Sequence, residues 1–442
     1  MRVLGETLTS TYQWLSHLKS SQLKNIAHVT GIPTAGPKLA LALRLQRELP
    51  QCEYLPPELG ASIEPDSSAR RSAGQNGVQS EMDRDRGKGN LSILSIDMGI
   101  QNLAFAHLLV PGPAMRKNGS SRFTASGSPI PTLTAWHRLA VSAFPRSSTL
   151  GLSSLPLSTF PLSQSRPRKQ KVRREDESTQ PQPSSDEGAA IATGSAEEDD
   201  KFSFAPDLYA EHAYTLITSL LATYKPTHIL IERQRFRSGG ASAVQEWTLR
   251  VGVFEGMLYA VLHTLARERG YSIFVQGVEP SRVARYWYGD GENDVIQEKG
   301  GSETTKKKRM TSKEGKKAKI DLVGKWLCAC EAGDENINDG VTKISSTEGQ
   351  KIDVAPDDNV RRVVNSYLRK WQGKKTTKSR SAVSSDEGSK SDIGKLDDLA
   401  DCLLQGVTWL DWHVARAEIL RHGADASVVR DIILNTGSAK TA

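Results

Sequence analysis

The sequence predicts an α/β fold in which a mixed five-stranded sheet is flanked by helices, with a small helical unit before it. Three observations carry this prediction. Five short apolar runs have the length and composition of buried strands. Segments with helical apolar spacing separate the later runs. Long polar segments fall between these elements and never within one, so we interpret them as insertions into a single core.

The five predicted strands begin with Leu91 to Asp97, a nearly continuous apolar run that is typical of a central strand. A tight connection from Gly99 to Asn102 leads into the second strand. The five predicted strands are residues 91–97, 103–110, 133–141, 227–232 and 272–278.

Helices are predicted to start near Asp207, Val244, Ala318 and Asp397. With the insertions removed, the order is three strands, a helix, a strand, a helix, a strand and two helices. This is the element order of ribonuclease H-like folds. In that order the first and fourth strands are central and adjacent.

The longest predicted helix has an apolar seam spaced alternately three and four residues apart. Part of this seam must cover the sheet. We expect another part, or the flanking face with Arg250 and Tyr259, to contact a second copy in a homodimer. The alternative is that the whole seam is monomer core. The seam residues are Val244, Trp247, Val251, Phe254, Leu258, Val261 and Leu265.

Length and composition bound the organisation. The 442 residues could form two or three domains, but only 37% are hydrophobic, which is low for a compact chain of this size. We therefore expect disordered insertions. The predicted divisions are a helical unit at 10–50, a linker at 51–90 and a core domain at 91–425, with insertions at 143–203, 290–315 and 332–394.

Charge and cysteine content exclude some classes of protein. The net charge of +7 is compatible with nucleic acid binding but does not establish it. The four cysteines, Cys52, Cys328, Cys330 and Cys402, have the spacing of neither a zinc site nor a disulfide framework, so a reducing compartment is expected. We find no apolar run long enough to cross a bilayer, so no membrane partner is expected.

The N-terminal unit consists of two predicted helices around a GIPTAG turn at residues 31–36. A helix, this turn, Lys38 and a Leu-rich helix together resemble a SAP module, a small DNA-binding helical pair. The alternative is a generic helical hairpin. The first twenty residues are Ser/Thr-rich with few acids, which is also the composition of a weak transit peptide.

Acidic residues end two of the predicted strands. Asp97 ends the first and Glu232 ends the fourth, at positions where a buried strand normally carries an apolar side chain. Because the two strands are predicted to be adjacent, both carboxylates should lie at one edge of the sheet. Carboxylates placed there are typical of a site for a metal or a proton.

A third acidic motif, KLDDLADCLLQ, opens the last helix. Asp397 and Asp401 are four residues apart and Asp398 and Asp401 are three apart, so either pair shares a helical face. A simpler interpretation is that these acids are in the first turn of the helix because its dipole favours negative charge there. We favour Asp397 over Asp398 as the partner of Asp401.

Together these acids predict a metal site. Three or four carboxylates around one point repel one another unless a cation neutralises them, and hard oxygen ligands suit Mg²⁺ or Mn²⁺. Two such ions can activate water and stabilise the leaving oxygen in phosphodiester hydrolysis. The predicted ligands are Asp97, Glu232, Asp397, Asp398 and Asp401.

Basic and glycine residues beside these acids are candidates for phosphate contacts. One group follows Glu232 directly and another precedes the predicted helix at 318. The alternative is that both are solvated basic segments. The candidate DNA-binding residues are Arg233, Gln234, Arg235, Arg237, Ser238, Gly239, Gly240, Lys316, Lys317, Lys319 and Lys38.

The motifs IDMGIQNLAFA, IERQRFRSGG and DDLAD together resemble the fungal mitochondrial Holliday-junction resolvases, relatives of bacterial RuvC. On this resemblance Asp97, Glu232, Asp397 and Asp401 correspond to the catalytic acids, and Asp398 competes for the third-motif position. The resemblance implies a Mg²⁺-dependent homodimer in the mitochondrial matrix that binds four-way junction DNA and nicks two strands symmetrically. The large insertions depart from the family pattern.

Three other readings stay open from the residues themselves. A kinase-like ATPase also carries an Asp-x-Gly turn between its first strands, but it needs a second glycine-rich phosphate loop. A non-catalytic junction-binding scaffold would not need the full set of acids. A ribonuclease H-like enzyme could instead cut RNA–DNA hybrids or other branched DNA.

Overall fold

The computed structural model describes residues 9–54, 90–112, 123–124, 128–141, 144, 204–234, 246–289, 311–334, 350–373 and 393–437. The statements below concern these residues. The predicted linker beyond residue 54, most of the predicted insertion at 143–203 and the glycine-rich segment after Gln234 lie outside them.

Six strands form one sheet in the described part of the chain, in the order β5-β4-β1-β2-β3-β6. The α/β class with a mixed sheet is confirmed, with one strand more than predicted. The strands are β1 (Leu91–Asp97), β2 (Leu103–Val110), β3 (Thr132–Leu139), β4 (His228–Glu232), β5 (Phe274–Val278) and β6 (Asp353–Val354).

The register of the central strands decides where the site lies. β1 pairs with β2 in antiparallel register, so that Asp97 faces Ala104. β1 and β4 are parallel, with Ile96 opposite Ile231, and β4 and β5 are parallel, with Glu232 opposite Val278. The carboxyl ends of β1, β4 and β5 therefore share one edge of the sheet, as predicted for Asp97 and Glu232.

Ten helices of the described residues surround this sheet. We number them α1 (Trp14–His17), α2 (Ser20–Val29), α3 (Lys38–Glu48), α4 (Pro206–Tyr224), α5 (Glu246–Arg269), α6 (Pro280–Tyr288), α7 (Ser312–Asp334), α8 (Asp358–Trp371), α9 (Leu396–His422) and α10 (Ser427–Gly437).

Each face of the sheet buries one apolar core. On one face α4 and α5 pack over Leu94, Ile96 and Phe105. On the other face α9 crosses the sheet and packs with α7 and α8 around Trp136 and Trp409, which are fully buried. Since α9 is apolar around most of its circumference, it lies inside the molecule as a central helix.

Two predicted insertions contain ordered elements. α7 begins at Ser312, inside the predicted insertion at 290–315, and β6 and α8 lie inside the one at 332–394, where residues Val360 to Trp371 have helical spacing in the sequence. α8 is amphipathic and is capped by Asp357, whose carboxylate accepts hydrogen bonds from the first helical N–H groups. It buries its apolar face, which is Val360, Val364, Tyr367 and Leu368.

The N-terminal unit docks on the far end of α9. The guanidinium of Arg416 is buried and donates to the carbonyl oxygens of Thr30 and Gln51, both at 2.7 Å. Gly31, at φ +64°, lies against the indole of Trp412, where an added Cβ would come within 2.3 Å of a ring carbon. The unit is therefore fastened to the core domain, rather than set apart by a linker.

One helix of the described residues, α5, is long and apolar enough by length and composition to cross a membrane, contrary to the expectation from sequence. Helices in the cores of water-soluble proteins pass the same test. α5 packs one face on the sheet and α4. The residues it buries are Val251, Phe254, Leu258, Leu262 and Leu265.

Candidate active site

Two carboxyl groups meet at the ends of the central parallel strands. Asp97 ends β1 and is buried, and Glu232 ends β4 beside it. The carboxyl groups of Asp97 and Glu232 lie within hydrogen-bonding reach of each other. Burial first, and then the charge of Glu232, raise the pKa of Asp97 well above its usual range.

The start of α9 is fixed beside this pair by a buried amide. The Nε2 group of Gln405 donates to Ser95 Oγ at 3.0 Å and to the Ile96 carbonyl at 3.2 Å, and it lies 3.4 Å from the Leu230 carbonyl. Gly406 allows the helix to approach β1 closely, because an added Cβ would lie 3.3 Å from that of Ser95. Gln405 therefore ties α9 to both acid-bearing strands.

Asp401, one turn before Gln405, faces the strand acids. Its carboxylate pairs with the ammonium of Lys319 on α7 at 2.6 Å. Burial raises the pKa of Asp401 to about 6, with Lys319 opposing the shift and Glu232 adding to it. The charge of Asp401 in turn helps to raise the pKa of Asp97.

The other two acids of the motif have cationic partners on opposite sides of the helix. Asp398 accepts from the buried guanidinium of Arg138 on β3 at 2.8 Å. Burial raises the pKa of Asp398, with Arg138 opposing. Asp397 pairs with Lys316 at 2.7 Å. Burial alone would raise the pKa of Asp397, but Lys316 holds it below the usual value.

The donor chemistry of this region fits a divalent cation. Asp97 and Glu232 offer hard oxygen ligands side by side. Asp401 lies near enough to act on both. No three of the described His, Cys, Asp and Glu side chains converge as a ready metal site, so the predicted clustering of three or four acids at one point is not seen in this conformation.

A family model described as "Mitochondrial resolvase Ydc2 / RNA splicing MRS1" matches residues 93–419, which is most of the chain and includes every acid above. The chain belongs to this family. The match confirms the resemblance inferred from the three acidic motifs.

Individual relatives match over shorter or more divergent stretches. "Cruciform cutting endonuclease 1, mitochondrial" of Schizosaccharomyces pombe is 36% identical over 88 residues, which are 19% of this chain and 34% of that protein. The matched segment thus spans about a third of this curated relative.

Two solved structures are similar at low identity. The yeast mitochondrial Holliday junction resolvase Ydc2 is 21% identical with a TM-score of 0.40, over 90% of this chain and 95% of that one. RuvC of Thermus thermophilus is 11% identical with a TM-score of 0.24, over 64% of this chain and 97% of that one.

The basic residues predicted to contact DNA fall into different environments within this family fold. Lys316 and Lys319 bind acids of the motif, so at least in this conformation they neutralise carboxylates. Lys317 between them is exposed. Lys38 is exposed at the start of α3, with its ammonium donating to the carbonyl of Ser16 at 2.9 Å.

The segment after Glu232 is described only for its first two residues. The stem of Arg233 covers Gly277 on β5, and the backbone N–H of Gln234 donates to Glu255 on α5 at 3.0 Å. This packing directs Arg233 toward α5. The other candidates here, Arg235, Arg237, Ser238, Gly239 and Gly240, lie outside the described residues.

Sequence reasoning missed Arg138 and Gln405. Arg138 is a charged residue in a strand that also carries Leu133, Trp136 and Leu139, and that pattern could have marked it as the partner of a buried acid. Gln405 is a polar residue in an apolar helix four positions after Asp401, which is the spacing of a second residue on the same face.

Proposed function

We propose that this protein is an endonuclease that resolves four-way DNA junctions by metal-dependent hydrolysis of phosphodiester bonds. The observation that carries the proposal is the pair of adjacent carboxyl groups at the ends of β1 and β4, Asp97 and Glu232, with Asp401 opposite. Family membership supports the substrate, because the family description names a mitochondrial resolvase and the curated relative is a cruciform cutting endonuclease.

Asp97, Glu232 and Asp401 are the residues proposed to hold the cation, which we propose to be Mg²⁺, with Mn²⁺ able to replace it. When bound, the cation would supply activation of a water nucleophile and stabilisation of the leaving oxygen. To hold the cation, Asp97 would be ionised and Asp401 would leave its contact with Lys319. The freed ammonium can then lie against a phosphate oxygen.

The RNA-splicing part of the family description supplies a second candidate function, RNA binding without cleavage. The buried acids argue against it. A binding surface for RNA needs exposed positive charge, whereas Asp97 is buried and uncompensated by any described cation close to it. A buried carboxylate without a cationic partner destabilises the fold at neutral pH. A bound cation would remove this cost.

A direct cleavage assay separates these candidates. Purified protein is incubated with a mobile four-way junction, a duplex of the same length and an RNA–DNA hybrid, each with and without Mg²⁺. We expect paired nicks in the junction, only with the metal. Cleavage of the hybrid in preference to the junction would indicate a ribonuclease, and RNA binding with no cleavage of any DNA would favour the splicing role.

We also propose a homodimer formed through α5, because paired nicks need two sites in fixed relation. The predicted seam mostly serves the monomer core, since Val251, Phe254, Leu258 and Leu265 are buried. The opposite face is the better candidate. It exposes Leu249 and Val253, each at 47%, together with Gly252 and Gly256, around which an added Cβ would meet no atom within 4 Å. A second α5 could approach closely there.

Sedimentation tests this surface. Val253→Glu should convert the dimer to a folded monomer that has lost paired nicking. Leu39→Glu on α3 is a matched control, because Leu39 is 63% exposed but lies on the N-terminal unit. A wild-type protein that sediments as an active monomer would refute the dimer, and an unaffected Val253→Glu dimer would move the interface elsewhere.

We propose that this protein acts in the mitochondrial matrix. The support is the word mitochondrial in the family description and in the name of the curated relative. Fractionation of cells that express the tagged chain, with protease protection in intact mitochondria and in mitoplasts, tests the location. Recovery in the cytosol or the nucleus would contradict it.

A further inference from the structure

The phenolic oxygen of Tyr288, at the end of α6, is buried and has no hydrogen-bond partner among the described residues. A buried polar group without a partner destabilises a protein. Few are found in native structures, and a ligand or a functional role commonly explains those that are kept. The hydroxyl of Tyr288 therefore needs an explanation that packing alone does not give.

The register between α6 and α9 shows what Tyr288 lies near. The two helices run in opposite directions, so each later residue of α6 meets an earlier residue of α9. Past Trp287 this register leads from Thr408 toward the N-terminal end of α9, where Asp401 lies. The contacts that set it are Arg282 over the Trp412 ring at 5.2 Å, Tyr286 Oη to Asp411 at 3.3 Å, and Trp287 Nε1 to Thr408 at 2.7 Å.

Electrostatics agree with this placement. Burial first, and then the charges of Asp401 and Asp321, raise the pKa of Tyr288. The phenol therefore stays protonated at neutral pH, so its hydroxyl can donate a hydrogen bond. Asp401 uses one carboxylate oxygen to bind Lys319, and a carboxylate has several lone-pair sites, so it can accept a further hydrogen bond.

We propose that Tyr288 is a positioning residue of the acidic site, whose hydroxyl donates a hydrogen bond to Asp401 when this carboxylate leaves Lys319 to hold a divalent cation. The proposal rests on the proposed nuclease function. In this structure the Asp401 carboxylate is oriented toward Lys319, and reorientation toward a cation would bring one of its free lone pairs to the hydroxyl. The hydroxyl would then fix the carboxylate in its ligand orientation.

Tyr288→Phe tests this by removing a single oxygen. If the hydroxyl is an unsatisfied group in the resting protein, the thermal midpoint should stay the same or rise. Junction affinity should also be unchanged, whereas cleavage at saturating junction should be about tenfold slower because a hydrogen bond to a charged acceptor is lost. More Mg²⁺ should be needed for half-maximal cleavage.

Tyr286→Phe is the matched control. Its hydroxyl already donates to Asp411, so the same substitution should lower the thermal midpoint and leave cleavage unchanged. If Tyr288→Phe behaves like this control, the hydroxyl is structural and the proposal is wrong. Unaltered cleavage in Tyr288→Phe would overturn it as well.

A spectroscopic measurement separates this proposal from the proposed function. Protein labelled with ¹³C at the tyrosine ring carbon that bears the oxygen is titrated with Mg²⁺ in the absence of DNA. The Tyr288 resonance, assigned by its loss in Tyr288→Phe, should shift in the wild type and not in Asp401→Asn. A resonance that does not move overturns the role of Tyr288. A wild type that shifts but cleaves no junction overturns only the nuclease function.

Discussion

The two groups of acids at the site are balanced in different ways. The strand acids, Asp97 and Glu232, lie against each other, and burial first and then the charge of Glu232 raise the pKa of Asp97. The acids of α9 each have a cationic partner from another element: Lys319 for Asp401, Arg138 for Asp398 and Lys316 for Asp397.

This difference indicates which carboxylates hold the fold together and which are available to a ligand. A buried arginine keeps its charge, so Asp398 bound to Arg138 is a permanent ion pair. Two adjacent carboxyl groups can hold a cation together, and a lysine ammonium with some exposure can move away. We therefore infer that Asp97, Glu232 and Asp401 serve the ligand, whereas Asp398 serves the structure.

The largest expected effect follows from changing the strand pair. Asp97→Asn and Glu232→Gln should each reduce junction cleavage by about a thousandfold or more, because two-metal hydrolysis depends on carboxylate ligands. Junction binding should be retained or strengthened, since removal of negative charge near phosphate does not weaken attraction. Single-turnover cleavage and gel-shift titration measure the two quantities.

Solvent-facing Asp353 offers the control for this experiment. Asp353→Asn on β6 removes the same charge from an exposed position at the far edge of the sheet and should leave cleavage unchanged. Cleavage near the wild-type rate in either strand variant would remove that residue from the proposed site.

The second prediction sets two acids of α9 against each other. Asp401→Asn should abolish cleavage with little loss of stability. Asp398→Asn should lower the free energy of unfolding by about 3 kcal/mol, because it leaves the buried guanidinium of Arg138 without its anion. Denaturant unfolding and junction cleavage are measured on both variants. We expect Asp401→Asn to be stable but inactive and Asp398→Asn to be less stable but active.

The opposite pattern would reverse our assignment. If Asp398→Asn is stable but inactive and Asp401→Asn is unstable but active, Asp398 is the metal ligand and Arg138 orients its carboxylate. Asp397→Asn should have the mildest effect of the three, contrary to the preference for Asp397 from sequence, because its partner Lys316 is 57% exposed.

The strands and the acids that end them could be predicted from sequence because both depend on local pattern. β1 and β2 have the bounds expected from their apolar runs, and Asp97 and Glu232 meet as the parallel pairing requires. β6 could not be predicted, since a strand of two residues has no periodicity to detect.

The partners of the acids also lay beyond sequence reasoning. Arg138 is 260 residues from Asp398, and Lys319 is in a helix whose start was placed too late. Helical spacing shows which carboxylates share a face but not which cations other elements bring to them. That is why Asp397 and Asp398 could not be separated before the structure.

The third prediction concerns the two lysines of α7. Lys319→Met should lower stability without metal, since Asp401 then lies among acids with no cation, and should increase the stabilisation given by Mg²⁺ because a competitor is removed. Lys316→Met should change either quantity by no more than about 0.5 kcal/mol, because the Lys316 side chain is more than half exposed. Equal effects in both variants would contradict the different roles given to their acids.

The smallest effect is the pH dependence of stability. The folded pKa of Asp97 and of Asp401 lies above the unfolded value of about 4, so the folded protein binds protons more tightly than the unfolded chain. The stability contributed by these groups therefore rises as pH falls through about 6 and stops rising near 4. Paired acids such as Asp397, whose pKa is lowered, change stability in the opposite direction at lower pH.

The contribution of the strand pair is isolated by comparing the wild type with Asp97→Asn in a chelator. At pH 8 the variant should melt higher by a few degrees, about 2–4 °C for each kcal/mol of relieved repulsion. The two melting temperatures should approach each other as pH falls toward 5, where the wild type carries the extra proton. Mg²⁺ at pH 8 should raise the melting temperature of the wild type and not of Asp97→Asn. A gap that is constant across pH would mean that no repulsion is stored between Asp97 and Glu232, and that their proximity reflects packing alone.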